Sequence, residues 1–501
     1  MSTLEEKQYG DSGDRLPESP RTASSGPVDS QADGRIDSAA ERRLVRKLDL
    51  AIFPTFFVIY MMSFLDRINI SNARIQGMEK ELALDQGNRF NVVLFVYFIS
   101  YILLEVPSNM VMKKVRPSLY ISSLMFVWGI VNMCMGFVHS YQALVALRFL
   151  LGVFEAGVLP GIIYVTSMYY KRHEYQKRMS FFFCSTVVAG AFGGLLAYAI
   201  SGAARRYGVP HAAWRWIFVV EGGMTSALAL LAAFLIIDWP EQTKFLNAAE
   251  KELLRRRLAA DGGDACRMDT LNKASFKLVY TDYKIWLAAT VYMGVGVAGL
   301  SGTFFLPTIL LEFSWKAEEA QVRTIPIYVF AGGMMLFAAW ASDKLKHRVG
   351  FILTGVCINS IGYGMLLAQK GKSRDFKFAA VFFVFGGAYM ITPMALAWLQ
   401  NNISGHWKRS FGSSIQVMIG NLAGIIGSFI FIKKESPHYP TGYGVALTMM
   451  WVGGLAALLM AGLMWRENKK RDAGERDDRL NLPEDVRNNL GDYHPSFRFT
   501  L

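Results

Sequence analysis

Long apolar runs alternate with short polar connections along most of this chain. A helix needs roughly 20 apolar residues to cross about 30 Å of hydrocarbon, and twelve runs approach that length. Their approximate bounds are 48–72, 90–112, 117–138, 141–170, 178–203, 214–237, 284–311, 324–342, 349–369, 376–402, 409–432 and 441–465. The pattern predicts an all-α membrane protein with twelve transmembrane helices, which we number as spans one to twelve in chain order.

Polar segments flank and separate these spans. Residues 1–47 are rich in Ser, Gly, Pro, Asp and Arg without apolar periodicity, which predicts a disordered tail rather than a signal peptide. In the linker 238–283, the stretch NAAEKELLRRRLAAD spaces its leucines like a helix with one basic face, as is typical of a helix on a membrane surface. The expected organisation is a six-helix half over 48–237, this linker, a second six-helix half over 284–465, and a polar tail over 466–501.

The composition supports a membrane protein and excludes several other classes. The chain has 501 residues, of which 52% are hydrophobic and 13% aromatic, too apolar for a soluble domain of this size. The formal charge of +13 comes from Lys and Arg between the apolar runs, which favours a membrane surface over nucleic acid. The 4 cysteines show no C-x-x-C spacing, so neither a disulfide framework nor a zinc site is expected. The sequence contains no phosphate-binding loop, dinucleotide fingerprint or nucleophile elbow, and we expect no cofactor and no enzymatic activity.

The charges of the loops predict the orientation. Lys and Arg are more frequent in the loops on the side of the N-terminus than in the loops on the other side. Short cytoplasmic loops carry such an excess in membrane proteins. We therefore expect a multi-pass protein with both termini in the cytoplasm.

A repeat relates the two sets of six spans. The loop before span five contains QKRMSFFFCSTVVAGAFGG and the loop before span eleven contains WKRSFGSSIQVMIGNLAG, with Lys177 and Lys408 offset by 231 residues. Each Lys-Arg pair precedes two glycines at GxxxG spacing, a pattern that lets two helix backbones approach closely. We expect packing or gating roles for these four glycines: Gly190, Gly194, Gly420 and Gly424. The offset predicts two six-helix halves related as parallel repeats.

Ionisable residues at membrane depth break this repeat. Spans one and four carry Asp66, Arg148 and Glu155, and the offset of 231 leads from them to uncharged positions: Val297, Ala379 and Gly386. Fold symmetry therefore does not require these charges. Each costs roughly 2.5–3.5 kcal/mol in the hydrocarbon region, which favours a functional role. An interfacial cap at Asp66 and a packing network of Arg148 with Glu155 stay open as structural alternatives.

The spacing of these charges indicates how they pair. Arg148 and Glu155 lie seven residues apart, on one helix face but about 10 Å apart along the axis, too far for a direct ion pair. Asp66 should lie at the depth of Arg148, which predicts an ion pair between these two side chains. Arg67 points about 100° away from its neighbour and is expected to face the central cavity. A guanidinium can hold a carboxylate there with two hydrogen bonds.

Further polar side chains complete a candidate cavity. Asn402 on span ten is expected to line it, whereas Asn421, between two of the repeat glycines, could line the cavity or form a helix–helix hydrogen bond. Four more candidates lie on spans five and ten: Ser185, Thr186, Gln400 and Asn401. Glu105 and Glu221 lie near the ends of their spans, where charge is tolerated, so we expect structural roles for them and leave them out of the site.

Several motifs together resemble a known family. The loop after span eight contains ASDKLKHR, which is similar to the G-x-x-x-D-R/K-x-x-R-R loop motif of the major facilitator superfamily, whereas the first-half PSNMVMKKVRP lacks the acidic residue of that motif. Closer similarity to the fungal allantoate permease family, in the anion:cation symporter branch, comes from six motifs: FLDRINISNARI, EVPSN, RFLLGVFEAGVLPG, WRWIFVVEG, DWPEQTKFL and FRFTL. The resemblance covers nearly the whole chain after residue 45.

The resemblance implies a role for each candidate residue. Asp66 and Glu155 would carry protons, and Arg148 would change partners as these acids titrate. Arg67 would hold the substrate carboxylate. Tyr101 falls where the family has a substrate-contacting tyrosine, although packing explains an aromatic on a helix face equally well.

The implied function is proton-coupled import of a small organic anion by alternating access. Nicotinate-like, vitamin and ureide carboxylates are the expected substrates, and the expected partners are protons and the lipid bilayer, without nucleic acid. We expect the protein to act as a monomer in the plasma membrane. An exporter of an acidic metabolite and a non-transporting nutrient sensor remain as alternatives.

Overall fold

The described residues form all twelve predicted spans. The computed structural model describes residues 38–112, 114–208, 212–262, 279–345, 347–404, 406–483 and 490–501. The first half contains span one (Ser38–Ala73), span two (Arg89–Met112), span three (Pro117–Met135), span four (Tyr141–Glu155 and Val158–Ser167), span five (Arg172–Arg206) and span six (Ala213–Leu235). The second half contains span seven (Tyr283–Glu312), span eight (Ala317–Leu345), span nine (Arg348–Leu367), span ten (Arg374–Asn402), span eleven (His406–Phe429) and span twelve (Pro440–Asp472). The described residues contain no strand, and the predicted all-α fold is confirmed.

The lengths of the spans suit a membrane. Within the described residues, 10 spans are long and apolar enough to cross one by length and composition alone. Spans two and eleven are the other two, with 24 residues each. A helix of that size is about 36 Å long, which exceeds the thickness of the hydrocarbon core.

Span four is interrupted directly after Glu155. Residues 156 and 157 form a turn between its two helices. Pro160 has no backbone N–H to donate to the carbonyl of residue 156, so a regular helix cannot continue through this point. The interruption places the carboxyl group of Glu155 at the end of a helix inside the protein.

Span one begins earlier than the sequence indicates. Residues 38–47, assigned above to the disordered tail, are helical, so that part of the prediction is wrong; residues 1–37 lie outside the described part of the chain. Leu44, Leu48 and Ile52 are buried at four-residue spacing, which extends one apolar helix face beyond the long apolar run. Charged residues between them hide this face from a search for continuous apolar runs.

The C-terminal segment, residues 490–501, packs onto the second half. The indole of Trp398 donates a hydrogen bond to the carbonyl of Thr500 over 2.9 Å. The backbone N–H of Arg348 donates to the carbonyl oxygen of Leu501 over 2.8 Å. The prediction of a polar tail from residue 466 onward is therefore wrong at its end, because the last two residues bind spans nine and ten through their backbone carbonyls.

Asp492 of this segment belongs to a buried ion cluster. Lys284 Nζ lies 2.5 Å and Lys408 Nζ 2.8 Å from the Asp492 carboxylate. Burial would raise the pKa of Asp492, but these two ammonium groups outweigh it and hold that pKa below its usual range. The cluster binds the C-terminal segment to the first residues of spans seven and eleven.

The repeat is visible in the packing of the helices. Span five packs along span eight, and span eleven packs along span two. The repeat relates span five to span eleven and span two to span eight, so each of these contacts is the counterpart of the other. On the face where span one begins and span twelve ends, which we call the terminal face, Arg178 of span five binds Asp49 of span one at 2.7 and 2.8 Å. Lys408 of span eleven lies 2.5 Å from Asp282, just before span seven. Within each half, an ion pair therefore joins the fifth span to the start of the first span.

The halves meet differently on the two faces. On the far face, opposite the terminal face, polar contacts join them: Gln76 with Gln321, Lys433 with Glu79, and Arg205 with Glu318. Toward the terminal face, a small cavity of about 20 Å³ lies between spans four and five and spans ten and eleven. Its lining includes Ile163, Met179, Leu396, Gln400, Ser413 and Gln416. Polar side-chain contacts therefore join the halves on the far face, whereas the small cavity lies between them toward the terminal face.

The four repeat glycines lie at close helix contacts. A methyl group built on Gly194 would fall 2.5 Å from the Thr324 hydroxyl and 2.7 Å from the backbone carbonyl of Gln321. The other three lie against aromatic rings: Gly190 against Tyr328, Gly424 against Phe98 and Gly420 against Tyr292. All but the last of these contacts join the first half to the second, so the glycines permit close approach of the halves.

The linker contains the predicted helix, Ala248–Gly262. Its Arg257 is fully buried and lies 2.8 Å from the Glu41 carboxylate. Lys47 of span one lies 2.8 Å from Glu250 of the linker helix. One basic residue of this helix, Arg257, is therefore buried and anchors the helix to the terminal face of the first half.

Candidate functional site

Span one presents two ionisable neighbours to different surroundings. Asp66 and Arg67 are both buried, with exposures of 0% and 4%. Because adjacent helix positions point about 100° apart, Asp66 contacts spans three and six, whereas Arg67 contacts spans two and four. The two side chains therefore have separate partners.

Arg67 forms a buried ion pair with Glu155. Its Nη2 lies 2.6 Å from Glu155 Oε1, and the Ser63 hydroxyl donates to the same oxygen over 2.6 Å. The second carboxylate oxygen of Glu155 has no hydrogen-bond partner among the described residues. A buried charge that loses its partner is strongly destabilised, so protonation of Glu155 would leave a guanidinium in need of another anion.

Aromatic rings surround the guanidinium of Arg67. The ring centroids of Tyr97 and Tyr101 lie 5.3 and 5.2 Å from it, within the range of cation–π attraction. Tyr60 of span one and Tyr292 of span seven also lie within electrostatic range of Arg67. Both halves therefore contribute to the surroundings of this side chain.

Arg148 holds the backbone beside Arg67. Its guanidinium donates to the Arg67 carbonyl and to Asn69 Oδ1, each over 3.3 Å. The predicted ion pair of Arg148 with Asp66 is wrong, because Arg148 points along span one to these neutral acceptors. The side chain is buried at 1% exposure, and its two hydrogen bonds hold span one in place at this depth.

Asp66 is bound entirely within the first half. It accepts hydrogen bonds from Trp128 Nε1 at 3.0 Å, Asn132 Nδ2 at 2.7 Å and Thr225 Oγ1 at 2.7 Å. The sequence analysis missed these three donors. Their signal was Trp128 and Asn132 one helical turn apart on span three, which places two donors on one face.

Glu105 is a buried residue that the sequence analysis left out of the site. Its exposure is 0%, and Asn421 Nδ2 of span eleven donates to its Oε2 over 3.3 Å. Its Oε1 has no hydrogen-bond partner among the described residues. Glu105 follows Tyr101 by four residues and so shares its helix face, a spacing that could have revealed it. Asn421 thus forms a hydrogen bond between the halves, one of its two open alternatives.

Glu221 is likewise buried rather than interfacial. Its exposure is 0%, and neither carboxylate oxygen has a hydrogen-bond partner among the described residues. It precedes Thr225, a donor to Asp66, by one helical turn on span six. The expectation that Glu105 and Glu221 lie where charge is tolerated is wrong for both.

Asn402 lies away from this cluster, at the terminal face. Its side chain donates to the Thr500 carbonyl over 3.0 Å and accepts from the Thr500 N–H over 2.8 Å. The prediction that it lines a central cavity is wrong, because the C-terminal segment occupies its polar groups. Gln400 lines the small cavity toward the terminal face, while Ser185 and Thr186 donate to carbonyls of their own helix.

Fold and site together define a multi-pass membrane protein with two six-helix halves and ionic side chains buried between its helices. Residues 56–428 match the model of the Major Facilitator Superfamily, and the chain belongs to this family. It is a membrane transporter and not an enzyme.

Comparisons with individual proteins agree with this assignment. An uncharacterized transporter of Schizosaccharomyces pombe is 32% identical over 471 residues, covering 93% of this chain and 91% of the relative. The high-affinity nicotinic acid transporter of Saccharomyces cerevisiae is 28% identical over 466 residues, covering 92% and 85%. The crystal structure of a D-xylose-proton symporter has the same fold, with a TM-score of 0.64, 16% identity, and coverage of 82% of this chain and 97% of the symporter.

Proposed function

We propose that the protein imports a small organic anion together with protons by alternating access between its halves. The main support is the buried ion pair of Arg67 with Glu155. Removing two charges from water costs several kcal/mol per ion, and apolar residues could often replace a purely structural pair without loss of stability. The pair instead suits a site where Glu155 and a substrate carboxylate compete for one guanidinium.

Proton binding would control this competition. When Glu155 is protonated, Arg67 loses its partner and can bind the carboxylate of the substrate. When Glu155 releases its proton on the other side of the membrane, it recovers Arg67 and displaces the anion. Proton and anion are then bound together and released together, because each changes the affinity for the other by the same factor.

Asp66 and Arg148 complete the coupling in this proposal. Arg148 binds the carbonyl of Arg67, so movement of its guanidinium would shift the substrate-binding residue. Asp66 and Glu155 both lie within electrostatic range of Arg148. Protonation of either acid would change which neighbour attracts Arg148 most strongly, and this links the acids to the same movement.

The proposed driving force follows from the charges that move. A monoanion that travels with one proton carries no net charge and draws only on the pH gradient, worth about 1.4 kcal/mol per pH unit, or about tenfold accumulation. A second proton, carried by the other acid, would add about 2.3 kcal/mol per 100 mV of membrane potential.

The orientation and the substrate class are part of the proposal. Basic loops support a cytoplasmic terminal face, so the contacts that join the halves on the far face would close the outer side of the protein in the plasma membrane. The allantoate permease motifs and the nicotinic acid transporter among the relatives support nicotinate-like, vitamin or ureide carboxylates as substrates. All proposed coupling residues lie within one chain, so a monomer would suffice.

Uptake of labelled nicotinate into vesicles that contain the purified protein tests the proposal. An inward pH gradient should drive accumulation by the wild type. Arg67→Ala should abolish nicotinate binding. Glu155→Gln should uncouple uptake from pH while retaining exchange of labelled for unlabelled nicotinate. Glu319→Gln, at an exposed position on span eight, is the matched control and should behave like the wild type.

Three results would contradict the proposal. Normal pH-driven accumulation by Glu155→Gln would remove the coupling role of this acid. Unchanged nicotinate affinity of Arg67→Ala would remove that residue from the substrate site. Efflux of nicotinate in exchange for entering protons, without proton-driven uptake, would favour the exporter.

A further inference from the structure

A carboxylate oxygen without a partner lies where the two halves meet. Glu105 is fully buried, and its Oε1 has no hydrogen-bond partner among the described residues. Its Oε2 accepts from Asn421 Nδ2 of the second half over 3.3 Å. Buried polar groups are nearly always satisfied, and exceptions call for an explanation such as an absent ligand. The hydrogen bond from Asn421 satisfies Oε2 but leaves Oε1 without a partner among the described residues.

Glu105 faces the same region as the proposed anion-binding group. It lies one turn from Tyr101 on span two, a rise of about 6 Å, and the Tyr101 ring lies 5.2 Å from the Arg67 guanidinium. Tyr60 and Tyr292 lie within electrostatic range of both Arg67 and Glu105. A guanidinium and a carboxyl group therefore border one small region, with tyrosine rings between them.

A guanidinium and a carboxyl group around the same tyrosine rings would favour a molecule with two matching ends. A plain carboxylate could bind Arg67 but would leave Glu105 Oε1 unsatisfied and, if that group is ionised, would be repelled by it. A carboxylate with a nitrogen-bound hydrogen at its other end could satisfy both. The amide of Asn421 supports the carboxyl group of Glu105 as an acceptor.

We propose that Glu105, held by Asn421, recognises an N–H donor on the substrate, so that carboxylates that carry an N–H group bind more tightly than carboxylates that lack one, such as nicotinate with its unprotonated ring nitrogen. This inference rests on the proposed function, since Arg67 must hold the carboxylate end. It makes Glu105 a specificity-determining residue, separate from the acid that couples transport to protons.

A pair of ligands of equal shape tests the inference. 3-Aminobenzoate and 3-methylbenzoate differ by an amino group in place of a methyl group, and their binding to the purified full-length protein can be measured directly. The wild type should prefer the amine by about 10- to 100-fold, the worth of one charge-assisted hydrogen bond. Glu105→Gln keeps the size of the side chain and an acceptor for Asn421, yet it should abolish the preference while retaining 3-methylbenzoate binding.

Two further variants distinguish the possible failures. Glu105→Asp retains the charge and should retain a preference for the amine, which excludes a general loss of folding as the cause. Arg67→Ala should lose both ligands. If Arg67→Ala loses both but Glu105→Gln still prefers the amine, Glu105 only joins the halves and this inference fails alone. If the wild type binds neither ligand, this inference and the proposed substrate class fail together.

Discussion

The contact of Gly194 with span eight leads to a prediction about the conformational equilibrium. Gly194→Ala would place a methyl group 2.7 Å from the backbone carbonyl of Gln321. No side-chain rotation can relieve a clash with backbone, so spans five and eight must separate by several tenths of an ångström. Overpacking of this kind costs roughly 1–3 kcal/mol. The cost disappears when the far face opens, so the open state should gain on the order of 5- to 150-fold in relative population.

Cross-linking at the far face measures this shift. Glu79 and Lys433 lie 3.4 Å apart there with partly exposed side chains, away from the substituted glycine. Cysteines at these two positions, in a chain with its native cysteines replaced, should react with a short bifunctional thiol reagent when the far face is closed. Gly194→Ala should slow the cross-linking in proportion to the lost closed population.

Span five supplies a matched control for this experiment. Gly202 is on the same helix, and a methyl group built there meets nothing within 4 Å. Gly202→Ala should therefore cross-link at the rate of the parent protein. If Gly194→Ala cross-links as fast as Gly202→Ala, with normal expression and thermal stability, Gly194 does not hold the far face closed and the reasoning is wrong.

Other predictions concern the terminal face. The pKa of Asp492 is held below its usual range, so the stability from its pairs with Lys284 and Lys408 is complete above the ordinary aspartate pKa and is lost as pH falls through the lowered value. Hydrogen exchange of residues 490–501 should therefore show protection that persists to about pH 4. Asp492→Asn should reduce that protection at pH 7. Asn402→Ala should lower the melting temperature, because it removes both bonds to the C-terminal segment, but should leave nicotinate affinity within twofold. Arg257→Ala should expose the linker helix to protease, since this buried guanidinium anchors it.

The spans and their pairing into halves could be predicted because they depend on long apolar runs and on one offset. Lys408 and Arg178 show both the strength and the limit of this offset. Their loops match by sequence, and each forms an ion pair at the start of its own half: Lys408 with Asp282, just before span seven, and Arg178 with Asp49 of span one. Their partners, Asp282 and Asp49, are not related by the same number of residues, so the offset alone could not identify them.

The pairing of the charged side chains could not be predicted because it depends on rotation of helices that sequence does not fix. Depth alone suggested that Asp66 meets Arg148. Arg67, one position further along span one, pairs with Glu155 of span four instead. Asp66 accepts hydrogen bonds from neutral donors on spans three and six. Glu105 was misjudged for a related reason, because distance from a helix end indicates burial poorly where another helix covers that end.

The hydrogen bond from Trp128 to Asp66 gives the protein a built-in optical probe. Indole emission responds to the charge of a group that its N–H contacts, so the difference between spectra of the parent and of Trp128→Phe isolates one tryptophan beside one acid. Stopped-flow fluorescence after a pH jump could then follow that acid during turnover without any attached label.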